Sequence, residues 1–178
     1  MESVVVHGKK FNLYLKHEQV IEAIEKMAVK LNEELKDKNP LFIVVLNGAF
    51  VFASELITRF NGPCEVTFVK LASYEGTQST ENVREVMGLS EDVTDRTVVF
   101  VEDIIDTGLT MLMAKDKIKA AGAKDVKLAT LLYKPKAFKH NYYIDYIGIE
   151  IPNDFIIGFG LDFDGQARNL RDIYKIEE

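Results

Sequence analysis

Between residues 18 and 36 the apolar side chains fall at Val20, Ile21, Ile24, Met27, Ala28, Leu31 and Leu35. Steps of three and four put them on one face of a helix, so this segment is expected to be a surface helix with a single buried stripe. The pattern then changes. "LFIVVL", residues 41–46, is a short continuous apolar run of the kind found in strands buried on both faces. After Asn47 and Gly48, "AFVFASELITRF" reads as a helix. "CEVTFVKLASY" alternates enough for a strand and "TVVFVE" reads as a core strand. "MLMAKDKIKAAG" reads as a helix closed by Gly122, and "VKLATLLY" and "DYIGIEIP" complete the regular strands.

Strands alternating with helices predict an α/β fold with a mainly parallel central sheet flanked by helices, in which ligands bind beyond the carboxyl ends of the strands. Three such ends carry polar or glycine-containing turns: "LNGA", "VEDIIDTG" and "LLYKPK". One segment breaks the alternation. Residues 72–95 are rich in Ser, Thr, Gly, Asn and acids, with too little apolar content to bury. A connection that long in a compact domain is expected to be functional, such as an active-site lid, or disordered, and the two are compatible because lids are often mobile when empty.

Composition narrows the function classes. At 178 residues the chain suits one domain, 1–178, and its 47% hydrophobic and 28% charged content is that of a soluble globular protein. The single cysteine, Cys64, has no partner for an intramolecular disulfide and no Cys or His cluster for zinc, which fits a reducing compartment. "MESVVVHGKK" shows no secretory signal, and "LFIVVLNGAFVFA" is broken by Asn47 and Gly48 and falls short of a membrane span. A cytoplasmic protein without a membrane partner is expected. The net charge of -6 argues against nucleic acid as a partner. The basic and aromatic run "YKPKAFKHNYY" is the local exception, read here as a solvated strand exit and loop.

The chemistry concentrates in "VVFVEDIIDTGLT", residues 98–110. An apolar strand delivers the adjacent acids Glu102 and Asp103 to its exit, where alternation sends their side chains to opposite sides unless the turn has begun. Acids there accept hydrogen bonds from vicinal hydroxyls or hold a divalent metal. The turn from Asp106 through Thr107, Gly108, Leu109 and Thr110 offers backbone N–H groups and hydroxyls at a helix start, which suits a phosphate. A sugar phosphate carries both kinds of group. The bland alternative is that Asp106 or Thr107 only caps the helix, which leaves the acidic pair unexplained.

That stretch resembles the phosphoribosyl diphosphate signature of the type I phosphoribosyltransferases, and "VEDIIDTG" resembles the hypoxanthine-guanine branch. The likeness continues in order through "VVLNGA", "ASYEGTQS", "LATLLYK" and "IGIEIPNDFIIGFGLDF". It implies that fold, with a small hood formed by the terminal segments. It implies transfer of a phosphoribosyl group from phosphoribosyl diphosphate to a 6-oxopurine with magnesium, in a homo-oligomer, dimer or tetramer. By the resemblance, Glu102 and Asp103 bind the ribose hydroxyls and metal, residues 106–110 cradle the 5-phosphate, and Asp106 is the candidate for proton transfer at the purine's five-membered ring. Asn47, Gly48, Ser73, Tyr74 and Arg168 would bind pyrophosphate. Asn47 stands where the family often has Lys, so that only the backbone role carries over. The family often has a non-proline cis peptide in this loop. Lys134 would donate to the purine's exocyclic oxygen, Phe155 would stack on its ring, Ile156 would meet its edge, and Asp162 would sit near a second metal and the 2-position. Arg171 competes with Arg168 by proximity.

Rival readings are weaker. "LDFDG" resembles the nucleophile motif of haloacid dehalogenase-type phosphatases, but too few residues follow it to build a fold around it. A response-regulator-like acidic pocket lacks a phosphoacceptor Asp at another strand end, and no G-x-G-x-x-G follows any expected strand. The serious rival is a regulator of the same fold that binds phosphoribosyl diphosphate without catalysis. Retention of Asp106, Lys134, Ser73 and Tyr74 favours the enzyme.

Overall fold

A computed structural model describes residues 2–71 and 89–177. The central sheet has five parallel strands in the order β4-β3-β5-β6-β7. These are β3 (Leu41–Leu46), β4 (Glu65–Lys70), β5 (Thr97–Ile105), β6 (Asp125–Tyr133) and β7 (Tyr146–Glu150). The helices are α1 (His17–Leu35), α2 (Phe50–Ile57) and α3 (Leu109–Ala120). The continuous apolar runs are explained by two covered faces. Phe42, Val44, Val99, Val101, Ala129 and Leu131 pack on the α1 and α2 side. Their neighbours Leu41, Ile43, Val98, Phe100, Val126 and Leu128 pack with Met111, Ala114 and Ile118 of α3. Period-two alternation therefore feeds two cores instead of one core and solvent.

The stripe expected on α1 is the one it buries, at Val20, Ile24, Met27, Ala28, Leu31 and Leu35. Two amides at its start are satisfied by side chains: Lys16 N–H donates to Gln19 Oε1 at 2.9 Å and His17 N–H to Asp172 Oδ1 at 2.8 Å. The first bond is local, whereas the second ties α1 to the far end of the chain.

The terminal segments form a second, antiparallel sheet in the order β1-β2-β9-β8. It comprises β1 (Ser3–Val6), β2 (Lys9–Leu15), β8 (Ile156–Ile157) and β9 (Ile173–Ile176), packed on Val6, Phe11, Ile157, Ala167 and Tyr174. This is the expected hood, although its individual strands were not legible in the sequence pattern. Other boundaries shift. α2 stops at Ile57, where the Thr58 hydroxyl bonds Ser54 O at 2.7 Å, and β4 begins at Glu65, after Cys64, and ends at Lys70. Gly122 lies just past α3 with φ +96, a left-handed turn that a β-carbon would strain.

Candidate functional site

β3 leads through α2 to β4 on one side of the sheet, while β5 leads through α3 to β6 on the other. The chain reverses direction across the sheet between β3 and β5, the point where such sheets open a crevice. Pairing of β5 with β3 ends at Val44↔Val101, yet pairing with β6 continues to Ile105↔Tyr133. A cavity of about 380 Å³ occupies the split, lined by Val45, Leu46, Gly48 and Leu71 and by the chain from Glu102 to Met111. Residues expected at a strand exit thus lie on an extension of β5 that has lost one neighbour.

The first loop closes one wall. The Leu46–Asn47 peptide is cis, as the family's loop often is, and Asn47 is exposed. A β-carbon built on Gly48 would run into the Asp103 carboxylate, and one built on Gly160 would run into the Gly48 carbonyl. The loop, the acidic pair and the segment containing Gly160 therefore touch through positions that admit no side chain. Gly160 was not picked out from the sequence. Its only signal was a glycine inside the apolar run "FIIGFG".

Glu102 and Asp103 do not diverge to opposite sides as simple alternation predicts; both line the same cavity. Asp103 N–H donates to Glu102 Oε1 at 3.1 Å and Ile104 N–H to Asp103 Oδ1 at 2.7 Å, so each acid also satisfies the next residue's amide. Burial, with the negative charge of Asp103, holds the Glu102 carboxyl well above the usual carboxylate range. Burial also raises Asp103, opposed by its hydrogen bonds and by the positive charge of Arg168. Two acids that resist ionising together suit a divalent cation, which relieves their repulsion. Among the described residues no group of three or more His, Cys, Asp or Glu converges on a metal position. Substrate oxygens and water can complete the coordination of a metal held by this pair.

Beyond the acids, Asp106 and Thr107 are exposed and Gly108 begins α3 in a left-handed conformation at φ +85. No side chain caps this helix, so capping does not account for Asp106 or Thr107. Lys134, at the end of β6, is buried and points its ammonium at Asp106 Oδ2, 3.2 Å away. The structure thus joins two residues 28 positions apart that the sequence assigned to one purine.

The remaining candidates lie on the terminal sheet and its connection. Ile156 is buried in β8, an edge strand bonded on one side only. Phe155 is 46% exposed, with its ring edge-on to Phe163 at 5.6 Å and tilted to Phe11 at 6.3 Å. An exposed, buttressed ring is poor core packing and a good stacking surface. Arg168 donates to Gly160 O at 2.8 Å and pairs with Asp162 Oδ1 at 2.8 Å, and Asp162 also accepts from Gly165 N–H at 2.7 Å. Arg171 is exposed. Ser73 and Tyr74 lie outside the described residues.

Comparison with known proteins agrees with this geometry. A model of the phosphoribosyl transferase domain matches residues 12–164. A hypoxanthine-guanine phosphoribosyltransferase of Streptococcus thermophilus is 37% identical over 162 residues, covering 90% of each chain. One from Aquifex aeolicus is 32% identical over 175 residues, covering 97% of this chain and 98% of the other. A crystal structure of such an enzyme from Bacillus anthracis superimposes with a TM-score of 0.87 at 32% identity, covering 94% of this chain and 97% of that one. With this match across residues 12–164 and relatives 32–37% identical over nine-tenths or more of its length, the chain belongs to the phosphoribosyltransferase family.

Proposed function

We propose that this protein is a purine salvage enzyme that transfers the 5-phosphoribosyl group from phosphoribosyl diphosphate to hypoxanthine, and to guanine, releasing pyrophosphate. The observation that carries the reading is the donor and acceptor pair, Lys134 and Asp106, 3.2 Å apart, with Asp106 lining a cavity that also holds the acidic pair and the phosphate loop. A 6-oxopurine presents an oxygen acceptor beside an imidazole nitrogen. Lys134 donates to that oxygen, and Asp106 accepts the proton shed by the nitrogen. An amino group in place of the oxygen meets the Lys134 ammonium donor to donor, which selects against adenine.

The reaction exchanges two bonds at the anomeric carbon: the other imidazole nitrogen attacks as the bond to pyrophosphate breaks, and the ring proton leaves to Asp106. Residues 106–110 hold the 5-phosphate, with amide donors at the start of α3. Glu102 and Asp103 accept the ribose hydroxyls and would hold magnesium together with substrate oxygens, a reading supported by their half-buried, mutually repelling carboxyl groups. Magnesium held there would neutralise charge developing on the leaving pyrophosphate. The Asn47 and Gly48 backbone and the planar Arg168 fork bind pyrophosphate, and Asp162, paired here with Arg168, would help hold a second metal near the purine's 2-position. Phe155 stacks on the ring and the free edge of β8 at Ile156 meets the base. Ser73 and Tyr74 complete the pyrophosphate site, on the family's motif alone.

We read residues 1–178 as one phosphoribosyltransferase domain, supported by the pairing of β2 with β9 from opposite termini. An oligomeric chain is supported by the exposed apolar side chains of Phe50, Val66 and Phe68. The lone half-buried thiol of Cys64 fits a reducing cytoplasm, and no described helix is long and apolar enough to cross a membrane.

The test is nucleotide formation from phosphoribosyl diphosphate and magnesium with hypoxanthine, guanine, xanthine or adenine in separate reactions. Product with the 6-oxopurines and none with adenine is expected. Folded protein that binds the donor but makes no nucleotide with any base overturns the enzyme reading in favour of a binding regulator.

A further inference from the structure

The run "YKPKAFKHNYY" was set aside as a solvated loop with basic and aromatic character, yet its aromatic rings do not all face solvent. Tyr142 is half-buried, and its hydroxyl donates to the Gly108 carbonyl at 2.7 Å. The Phe138 ring stands edge-on to Tyr142 at 4.9 Å and to Tyr133 at 5.4 Å. Its edge lies so close to Gly108 that a β-carbon there would collide with it. Only Tyr143 of the group is fully turned out, at 69% exposure.

We infer that Tyr142, backed by Phe138, is a positioning residue that aims the amides of the 5-phosphate loop, an inference that rests on the function proposed above. In a trans peptide the carbonyl and the following N–H point in opposite directions. Residues 134–142 hold three carbonyls of the loop from one side. Ile105 O accepts from Lys134 N–H at 3.0 Å, Thr107 O from Lys139 N–H at 3.2 Å, and Gly108 O from the Tyr142 hydroxyl at 2.7 Å. The amides of Asp106, Gly108 and Leu109 therefore point the other way, the side on which these residues line the cavity. Gly108 O also receives the first bond of α3, from Leu112 N–H at 3.1 Å, so the phenol occupies its remaining lone pair. Burial raises the Tyr142 phenol far above its usual range, which keeps the donor protonated. The two backbone bonds survive any side-chain substitution. The Tyr142 hydroxyl is the removable one, and it fixes the peptide carrying the Leu109 amide.

An amide aimed in advance helps only a ligand that carries phosphate at that place. Removing the hydroxyl while keeping the ring then weakens phosphate recognition without disturbing the base. The experiment compares wild type with Tyr142→Phe by calorimetric binding of inosine 5-monophosphate and of inosine, and by steady-state kinetics. The expected result is about 5- to 20-fold weaker binding of the monophosphate. Inosine affinity stays unchanged, and the KM for phosphoribosyl diphosphate rises by a similar factor with the KM for hypoxanthine unmoved. Phe138→Leu, which takes the ring from Gly108 but keeps an apolar side chain, shows the same selective loss if Tyr142→Phe does not fold. Unchanged monophosphate affinity and donor KM in a folded variant overturns the role of Tyr142 and leaves the proposed function standing. Wild-type protein that binds monophosphate and nucleoside alike overturns the phosphate-loop reading itself, and this inference with it.

Discussion

Lys134 Nζ lies 3.2 Å from Asp106 Oδ2, with the lysine side chain 11% and the aspartate 51% exposed. In the proposed reading the exposed aspartate meets an incoming base beside the buried lysine. Lys134→Ala removes the donor to the exocyclic oxygen and leaves that oxygen unpaired. We expect kcat/KM for hypoxanthine to fall about 10- to 100-fold and discrimination against adenine to shrink. Parallel kinetics with both bases check this, and an unaltered base preference removes Lys134 from base selection.

Asp106→Asn keeps the shape and loses the proton acceptor. Turnover is expected to fall about a hundredfold or more, with the affinity for phosphoribosyl diphosphate within about threefold of wild type. Single-turnover rates beside equilibrium binding separate the two quantities. Equal losses in both assign Asp106 to binding instead of proton transfer.

Gly48→Ala places a methyl group against the Asp103 carboxylate. Either the acid or the loop has to move, and both serve the donor in the proposed reading. The expected outcome is a protein that melts near the wild-type temperature and binds phosphoribosyl diphosphate with magnesium at least about tenfold more weakly, because small misplacements at a reacting centre cost that much or more. Titration of the donor by calorimetry measures it, and wild-type affinity in a folded variant refutes the close approach.

The acidic pair gives a prediction about pH. The Glu102 carboxyl is raised above its ordinary 4.5, chiefly by burial and then by Asp103, so the folded protein holds that proton more tightly than the unfolded chain does. This contribution to stability is fully present below the ordinary value and is lost as pH rises through the raised one. Glu102→Gln, which keeps the size and removes the ionisation, is expected to melt a few degrees higher than wild type at neutral pH without ligand. The gap narrows toward acid pH. The same variant is expected to lose the stabilisation that magnesium and donor give to wild type. Thermal melts across pH, with and without both ligands, decide the matter, and a variant no more stable than wild type at neutral pH contradicts the strained pair.

Much of the site was legible because its residues are neighbours in sequence. Glu102 through Thr110 follow one strand, and a short run of acids, hydroxyls and glycine after an apolar segment suggests a ligand without knowledge of the fold. Lys134, Phe155 and Arg168 entered through resemblance, since a lone Lys, Phe or Arg has no local pattern that separates a site from a surface. The aromatic residues after Lys134 were misjudged for the same reason. Whether Phe138 and Tyr142 face water or Gly108 depends on the chain that packs beneath them.

What the sequence determined by itself was the succession of the central sheet's strands and helices along the chain and the buried stripe of α1. Those follow from periodicities of two and of three to four residues, which the local backbone geometry imposes on any chain. It could not determine the terminal sheet, in which β2 pairs with β9 across almost the whole chain and β8 is two residues long. β1, β8 and β9 carry too few alternations to register, β2 buries only Phe11 of its seven residues, and their partners lie too far away in sequence to leave a local mark. Nor could it show that β5 continues to Ile105 after parting from β3, or that Gly48 admits Asp103 and Gly160 admits Gly48. These are contacts between remote segments brought to one place. Tertiary packing alone decides them, because the space left for a ligand is what remains once both faces of the sheet are filled.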